Sequence, residues 1–270
     1  MSYEKERAFA LSVAHEMGTL IRNGYFADNF VPEHKSDGSP VTILDVAANQ
    51  LFIQRLHEYF PRDGVVSEEL PETSGERLWY VDPLDGTSNL LTRSGCFSTL
   101  IGLVVDQHPV LGVVHVPLTG ESYCAVRGEG AQYLTPLGHE RTLRTKSRPL
   151  DHLVLICSQQ LPPSELGKVI TSSLQPQRTI INNGGAGLST MKVAEGVADI
   201  YVPSKPKAIG LWDLCGPQMI LEEAGGCVRY ADGKAVNYAG PRQPGKLVLA
   251  TCDAQLTNTL LERSPGLRIL

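Results

Sequence analysis

A chain of 270 residues with 42% hydrophobic and 20% charged residues is long enough to bury a sizeable core, as one domain or as two lobes sharing an interface. Its net charge of −5 gives no basic footprint and so speaks against a nucleic-acid polymer as partner. The first residues are charged from the fourth position and do not read as a secretory signal, and no stretch approaches a membrane span, so the expectation is a cytoplasmic protein.

Residues 4–24 set Phe9, Leu11, Val13, Met17, Leu20 and Ile21 on one helical face. After a polar loop from Lys35 to Pro40, residues 43–59 predict a second amphipathic helix, with Val46, Ala47, Phe52, Ile53 and Leu56 as its apolar stripe. Short apolar runs follow at Val65-Val66-Ser67 and Leu78-Trp79-Tyr80-Val81. Segments 98–105, 110–116 and 122–126 are rich in Val, Ile, Leu and Tyr and are parted by turn clusters, the pattern of antiparallel strands. Beyond them the chain alternates: strand 153–157, helix 163–174, strand 178–181, helix 186–196, strand 199–202, helix 213–224 stopped by Gly225-Gly226, strand 247–251 and helix 254–263. Helices beside strands of mixed connectivity argue for a layered sandwich of the α/β or α+β class. The crossing at Thr145-Lys146-Ser147-Arg148-Pro149 suggests lobes of residues 1–148 and 149–270. The cysteines (Cys96, Cys124, Cys157, Cys215, Cys227 and Cys252) form no CxxC pair and have no accompanying histidine spacing, which fits reduced thiols and not a zinc site.

Four segments carry candidate chemistry. In Asp82-Pro83-Leu84-Asp85-Gly86-Thr87 an apolar run ends in an acid, proline stiffens the chain, and a second acid follows three residues on. Such a turn aims two carboxylates and the Leu84 carbonyl at one point, a donor set suited to Mg²⁺. If Gly86 and Thr87 open a helix, their amides suit a phosphate oxygen. Either Asp-Pro or Asp-Gly alone would be read as a turn; the whole run is more specific. Ser67-Glu68-Glu69 also ends an apolar run, although Glu-Glu on a loop is by itself an ordinary solvated patch. Asp213, after Trp212, fits a helix N-cap and fits a rigid metal ligand equally well, with Pro217 expected in the first turn. Thr42 and Asp45 have capping-box-like spacing; capping is the better reading for Thr42, whereas Asp45 also suits a water-orienting role facing the metals. The seven histidines show no ligand or triad spacing, and Gly184-Gly185-Ala186-Gly187 reads as a helix start close to a sheet or substrate.

Together these segments resemble the inositol monophosphatase superfamily, which includes fructose-bisphosphatase-like and 3′(2′),5′-bisphosphate nucleotidase members. The anchors are Asp82 to Thr87 and Trp212-Asp213 leading to Glu223-Ala224-Gly225-Gly226, supported by Ser67-Glu68-Glu69 and Ala194-Glu195-Gly196-Val197-Ala198-Asp199. The resemblance implies an α+β fold, an αβαβα sandwich, and hydrolysis of a phosphate monoester on a small metabolite with two or three Mg²⁺ ions. Carried over by position, Glu68, Asp82, Asp85, Asp213 and the Leu84 carbonyl become metal ligands, with Glu68 also counted among the catalytic residues. Asp45 and Thr87 match the water-activating pair, and Gly86 and Thr87 match the phosphate-binding amides. Lithium sensitivity and a homodimer are further implied traits.

On substrate the resemblance divides. Inositol-selective members carry an acidic residue several positions before Trp-Asp, whereas residues 203–210 here are basic, so Lys207, and next Lys205, are candidates to meet a second anionic group. A solvated surface pair is an equal reading of both. Lys35 to Thr42 and Trp212 to Pro217 look closer to the nucleotidases, but Ser88-Asn89 after Asp-Gly-Thr looks closer to the inositol phosphatases, with Ser88 placed to meet substrate. The expectation leans to a bisphosphorylated nucleotide, with inositol monophosphate as runner-up. A catalytically silent relative that binds a phospholigand or serves a regulatory complex is the non-enzyme alternative, against which the intact acids speak.

Overall fold

Thr42 decides where the second helix begins. Its hydroxyl accepts the Leu44 N–H, while the Asp45 carboxylate accepts the Thr42 N–H at 2.8 Å, closing a capping box. In the computed structural model, which describes residues 2–28, 30–36, 38–157, 176–181, 184–203, 209–240, 242, 245–264 and 266, helix α1 is Glu4–Ala27 and α2 is Ile43–Tyr59. Helix α1 buries Phe9, Val13, Met17 and Ile21, with Leu11 and Leu20 half-buried at the margin. The buried stripe of α2 differs from the one expected. It runs through Leu44, Ala48, Phe52 and Leu56, flanked by Asp45 and Asn49, and leaves Val46, Ala47 and Ile53 half-buried. The two polar side chains face inward because each has a buried partner, so hydropathy alone rotated the helix wrongly.

These helices cover one face of a seven-stranded sheet in sequence order: β3 (Gly64–Ser67), β4 (Leu78–Asp85), β5 (Ser98–Val105), β6 (His108–His115), β7 (Ser122–Val126), β8 (Gly130–Leu134) and β9 (Glu140–Thr142). Two short strands, β1 (Glu33–His34) and β2 (Pro40–Val41), pair as a ribbon before α2. Within the seven-stranded sheet β3 and β4 run parallel and the other neighbours are antiparallel. Phe9 and Phe52 meet Trp79 of β4 edge-on, at ring-centroid distances of 5.3 and 6.1 Å, and anchor that layer.

The opposite face carries α4 (Gly185–Ala194) and α5 (Leu211–Glu223), and α3 (Thr87–Leu91) is a single short turn after β4. Helix α5 lies against the sheet backbone to backbone. A Cβ on Gly216 would fall 2.4 Å from the Ile101 carbonyl oxygen, one on Gly112 2.3 Å from the Gly216 oxygen, and one on Gly102 2.3 Å from Cys215 Sγ. Below lies a five-stranded sheet ordered β11-β10-β12-β14-β13, from β10 (Val154–Cys157), β11 (Arg178–Ile181), β12 (Ile200–Val202), β13 (Cys227–Tyr230) and β14 (Val248–Thr251). Helix α6 (Ala254–Arg263) packs on β13 and β14 and completes an αβαβα sandwich. The strands β1, β2, β8, β9 and β13 were not predicted, and the helix expected at 163–174 lies outside the described residues.

Two sequence motifs turn out to join elements. Asp199, fully buried, accepts Arg148 Nη1 at 3.0 Å and the Val154 N–H at 2.7 Å, while Tyr123 donates to Glu195 at 2.9 Å. The Glu223 carboxylate receives the Gly128 and Gly130 amides of the β7–β8 turn, each at 2.8 Å. Five of the six thiols are buried, Cys96 is partly exposed, and all six are free.

Candidate active site

The parallel pairing of β3 and β4 brings Ser67 opposite Val81, so Glu68, just past the end of β3, comes beside Asp82. The Glu68 amide donates to the Val81 carbonyl at 3.3 Å and fixes that adjacency. Pro83 has no N–H for the ladder with β5, and the register shifts between Asp82 and Asp85. In the resulting bulge the Leu84 amide donates to Asp82 Oδ1 at 2.9 Å.

Asp213 arrives from helix α5, but not as the helix cap. Gly210 is the N-cap of α5, and Asp213, at the third helical position, accepts the Gly210 amide at 2.6 Å. Glycine has no side chain with which to cap, so Asp213 reaches back and takes part of that role. Pro217 accordingly sits in the second turn, where it withholds an N–H from the Asp213 carbonyl, and not in the first turn as expected.

Glu68, Asp82 and Asp213 each offer an oxygen within 4.8 Å of the others. Burial raises the Asp82 and Asp213 pKa values well above the usual carboxylate range, and the charges of Glu68 and the neighbouring aspartates add to the effect. Lys35 is the cation in contact with Glu68. Its Nζ lies 2.7 Å from both Glu68 and Glu69. Burial lowers the Lys35 pKa, but the Glu68 and Glu69 carboxylates more than offset this and leave it raised. Glu69 is pushed up to about 7 by burial and then by Glu68. Buried, mutually repelling oxygen donors of this kind fit a hard divalent cation such as Mg²⁺.

Asp85 stands apart from that trio. Its carboxylate accepts the Ala186 and Gly187 amides at 3.2 and 2.8 Å and the Ser98 hydroxyl at 3.2 Å, capping the start of α4. Burial pushes its pKa up to about 6, against the pull of those donors. The glycine run allows this approach: Gly185 has φ +70°, and a Cβ there would lie 2.1 Å from Asp85 Oδ1.

The Thr87 hydroxyl lies 2.8 Å from Asp45 Oδ1 and 3.2 Å from the Leu84 carbonyl oxygen. The other Asp45 oxygen receives the Thr42 hydroxyl at 2.6 Å, so capping and the Thr87 contact are served by one carboxylate. Burial raises the Asp45 pKa, opposed by the Thr42 and Thr87 hydrogen bonds. Gly86, at φ +94°, is the N-cap of α3, which places its amide and that of Thr87 at the helix start. Ser88 is exposed beside them, and Lys205 and Lys207 lie outside the described residues.

Sequence reading did not single out Lys35 or Glu69 as site residues, nor Asn49, which accepts the Ser67 hydroxyl at 2.7 Å and so steadies the Glu68 segment. A groove of about 460 Å³ between α1 and α2, lined by Phe9, Tyr59 and Phe60, lies on the outer layer, and its Arg55 is paired with Glu16 and Glu58. Among the described residues no helix is long and apolar enough to cross a membrane.

The sequence profile of the inositol monophosphatase family matches residues 2–264. The 3′(2′),5′-bisphosphate nucleotidase CysQ of Aggregatibacter actinomycetemcomitans is 31% identical over 225 residues, 81% of each chain. The fructose-1,6-bisphosphatase/inositol-1-monophosphatase of Thermotoga maritima is 28% identical over 229 residues, covering 85% of this chain and 86% of that one. Among solved structures, an inositol monophosphatase from Zymomonas mobilis superposes with a TM-score of 0.79 at 26% identity, covering 98% and 99% of the two chains.

Proposed function

From the premise that the chain belongs to the inositol monophosphatase family and is a phosphoric monoester hydrolase, we propose that it removes one phosphate from a small 3′(2′),5′-bisphosphorylated nucleotide with the help of Mg²⁺. The hydrolytic half of this reading is carried by one observation: three acids from separate segments within 4.8 Å of one another, beside the bonded Asp45–Thr87 pair. The nucleotide half is supported by the likeness to CysQ nucleotidases at 31–32% identity and by the basic stretch 203–210, in which Lys205 and Lys207 would meet the second phosphate.

In this reading Glu68, Asp82, Asp85, Asp213 and the Leu84 carbonyl would hold the ions. Bound there, Mg²⁺ supplies positive charge for the phosphoryl oxygens and the leaving oxygen. The chain's own residues do the rest. Asp45, its pKa raised by burial, accepts a proton from the attacking water by way of the Thr87 hydroxyl to which it is bonded. The Gly86 and Thr87 amides hold phosphate oxygens in line with that water, and Ser88 touches the departing group. No enzyme nucleophile is required. The division into lobes 1–148 and 149–270, a cytoplasmic homodimer, and inhibition by lithium belong to the same reading.

The test is phosphate release from adenosine 3′,5′-bisphosphate and inositol 1-phosphate, side by side, with Mg²⁺ and with EDTA. The expected result is Mg²⁺-dependent release with kcat/KM at least about ten-fold higher for the nucleotide. A preference for inositol 1-phosphate would overturn the substrate, and equal release in EDTA would overturn the metal.

A further inference from the structure

Arg242 touches each of the three segments that carry the acid trio. Its backbone carbonyl accepts the amide of Leu211 at 2.8 Å, two residues before Asp213. Its Nη1 donates to the Tyr80 hydroxyl at 2.9 Å, and Tyr80 precedes Asp82 by two residues on β4, hence on the same face of the strand. Its Nε donates to Glu72 at 2.6 Å, four residues after Glu68 on the same connection. The guanidinium also stands 5.8 Å from the Tyr80 ring centroid. A second layer of bonds fixes the arginine: Tyr80 donates to the Tyr238 carbonyl at 2.8 Å, and Arg242 Nη1 reaches the same oxygen at 3.2 Å.

Neither Tyr80, Glu72 nor Leu211 contributes a carboxylate to the trio. Each instead fixes the backbone a short way from one member of it. Glu68 and Asp82 are already held side by side by strand pairing, whereas Asp213 comes from α5, a helix laid across the sheet. Asp82 and Asp213 are buried acids brought close to Glu68, and like charge among the three opposes that approach. A planar, permanently charged group with several fixed donors is suited to bracing such a junction, where a single hydrogen bond would swing.

We propose that Arg242 is a positioning residue that sets the spacing of Glu68, Asp82 and Asp213 and thereby the affinity of the site for its divalent cation. The proposal rests on the metal reading given above. It assigns Arg242 no contact with substrate or with the reacting atoms.

The experiment is Mn²⁺ binding to the full chain without substrate, followed through the paramagnetic resonance signal of free Mn²⁺, with melting temperature measured in EDTA. Variants are Arg242→Ala, Arg242→Lys, Tyr80→Phe and Glu72→Gln. Arg148→Ala serves as control, because the Arg148 partners Asp199, Gly196 and Val197 belong to none of the three segments. The expected result is Mn²⁺ affinity lowered about ten-fold in R242A and partly restored in R242K. Y80F and E72Q should each show a smaller loss, and R148A should lower the melting temperature without changing affinity. R242A binding Mn²⁺ as tightly as the wild type would overturn the proposal, as would an equal loss in R148A. If R242A does not fold, wild-type affinity in both Y80F and E72Q overturns it instead. A wild type that binds no Mn²⁺ would remove the metal reading itself, and this proposal with it; a wild type that binds alongside an unaltered R242A removes the proposal alone.

Discussion

Two settings of buried aspartates are treated in opposite ways. Just before β12, Asp199 is fully buried, yet both its oxygens are occupied, one by Arg148 and one by a backbone amide. Around the acid trio, Asp82 and Asp213 are also buried, but each receives a backbone amide and neither is given a cation among the described residues. A buried charge without a partner costs several kcal/mol, so burial favours the protonated form of Asp82 and Asp213 until a cation is supplied. The first arrangement is a finished joint. The second is the one that the proposed cation would complete.

The sharpest way to test that contrast is to neutralise one aspartate of each kind. Asp213→Asn should cut turnover about 1,000-fold, roughly 4 kcal/mol of barrier, while the melting temperature in EDTA stays level or rises as one source of repulsion goes. Asp199→Asn should do the reverse: it strands Arg148 and costs about 3 kcal/mol of stability, with kcat unchanged well below the melting temperature. Assay and calorimetry on both variants decide it, and the contrast fails if the two lose stability alike.

The two threonines on Asp45 sharpen the comparison within one carboxylate. Thr87→Val removes the hydroxyl facing the chemistry and should lower kcat about 100-fold. Thr42→Val removes the helix cap and should cost about 1 kcal/mol of stability, with a much smaller effect on rate. Equal losses of rate would mean that Asp45 orientation, not proton transfer through Thr87, is what matters.

The smallest effect is in the pH dependence of metal stabilisation. Glu69 sits near 7 against an ordinary 4.5, and Asp85 near 6 against 3.8, both raised mainly by burial. Without metal the fold therefore holds protons that the unfolded chain has already released, and this contribution to stability is lost as pH rises from about 4 through 7. In the reading proposed above, a cation held by Asp85 and its neighbours would compete with the Asp85 proton. The Mg²⁺-induced rise in melting temperature should be small at pH 5, grow toward pH 7.5, and shrink in Asp213→Asn. A rise independent of pH would show that cation binding and these carboxylates are unlinked.

What was legible in the sequence follows from how local each signal is. Helix α2 was bounded correctly because cap and apolar period lie within one segment. The Asp82 to Thr87 run was recognisable because proline, glycine and two acids compress a bulge and a helix start into six residues. Of the two readings of Asp213, the helix-cap one was misplaced by three residues, since Gly210 leaves no side-chain mark of a cap. Lys35, Glu69 and Arg242 had no comparable mark, because their partners are 33, 34 and up to 170 residues away. Strands β8, β9 and β13 are short and carry polar or charged residues such as Gln132, Glu140, Arg141 and Arg229, so hydropathy did not single them out.

The glycine contact between α5 and the seven-stranded sheet has a consequence for how such a protein diverges. An interface of side chains can be retuned one methylene at a time, and neighbouring positions then drift to suit. Where Gly216 meets the backbone at Ile101 and Gly112, there is no side chain to retune. The helix bearing Asp213 therefore rests against a hard stop, and mutation elsewhere in either core leaves that stop in place. A scaffold of this kind separates two rates of change: the rim that meets the ester is free to vary, while the interval between the acids is held. Libraries meant to redirect the enzyme to another phosphate ester should randomise the rim and hold Gly102, Gly112 and Gly216 constant.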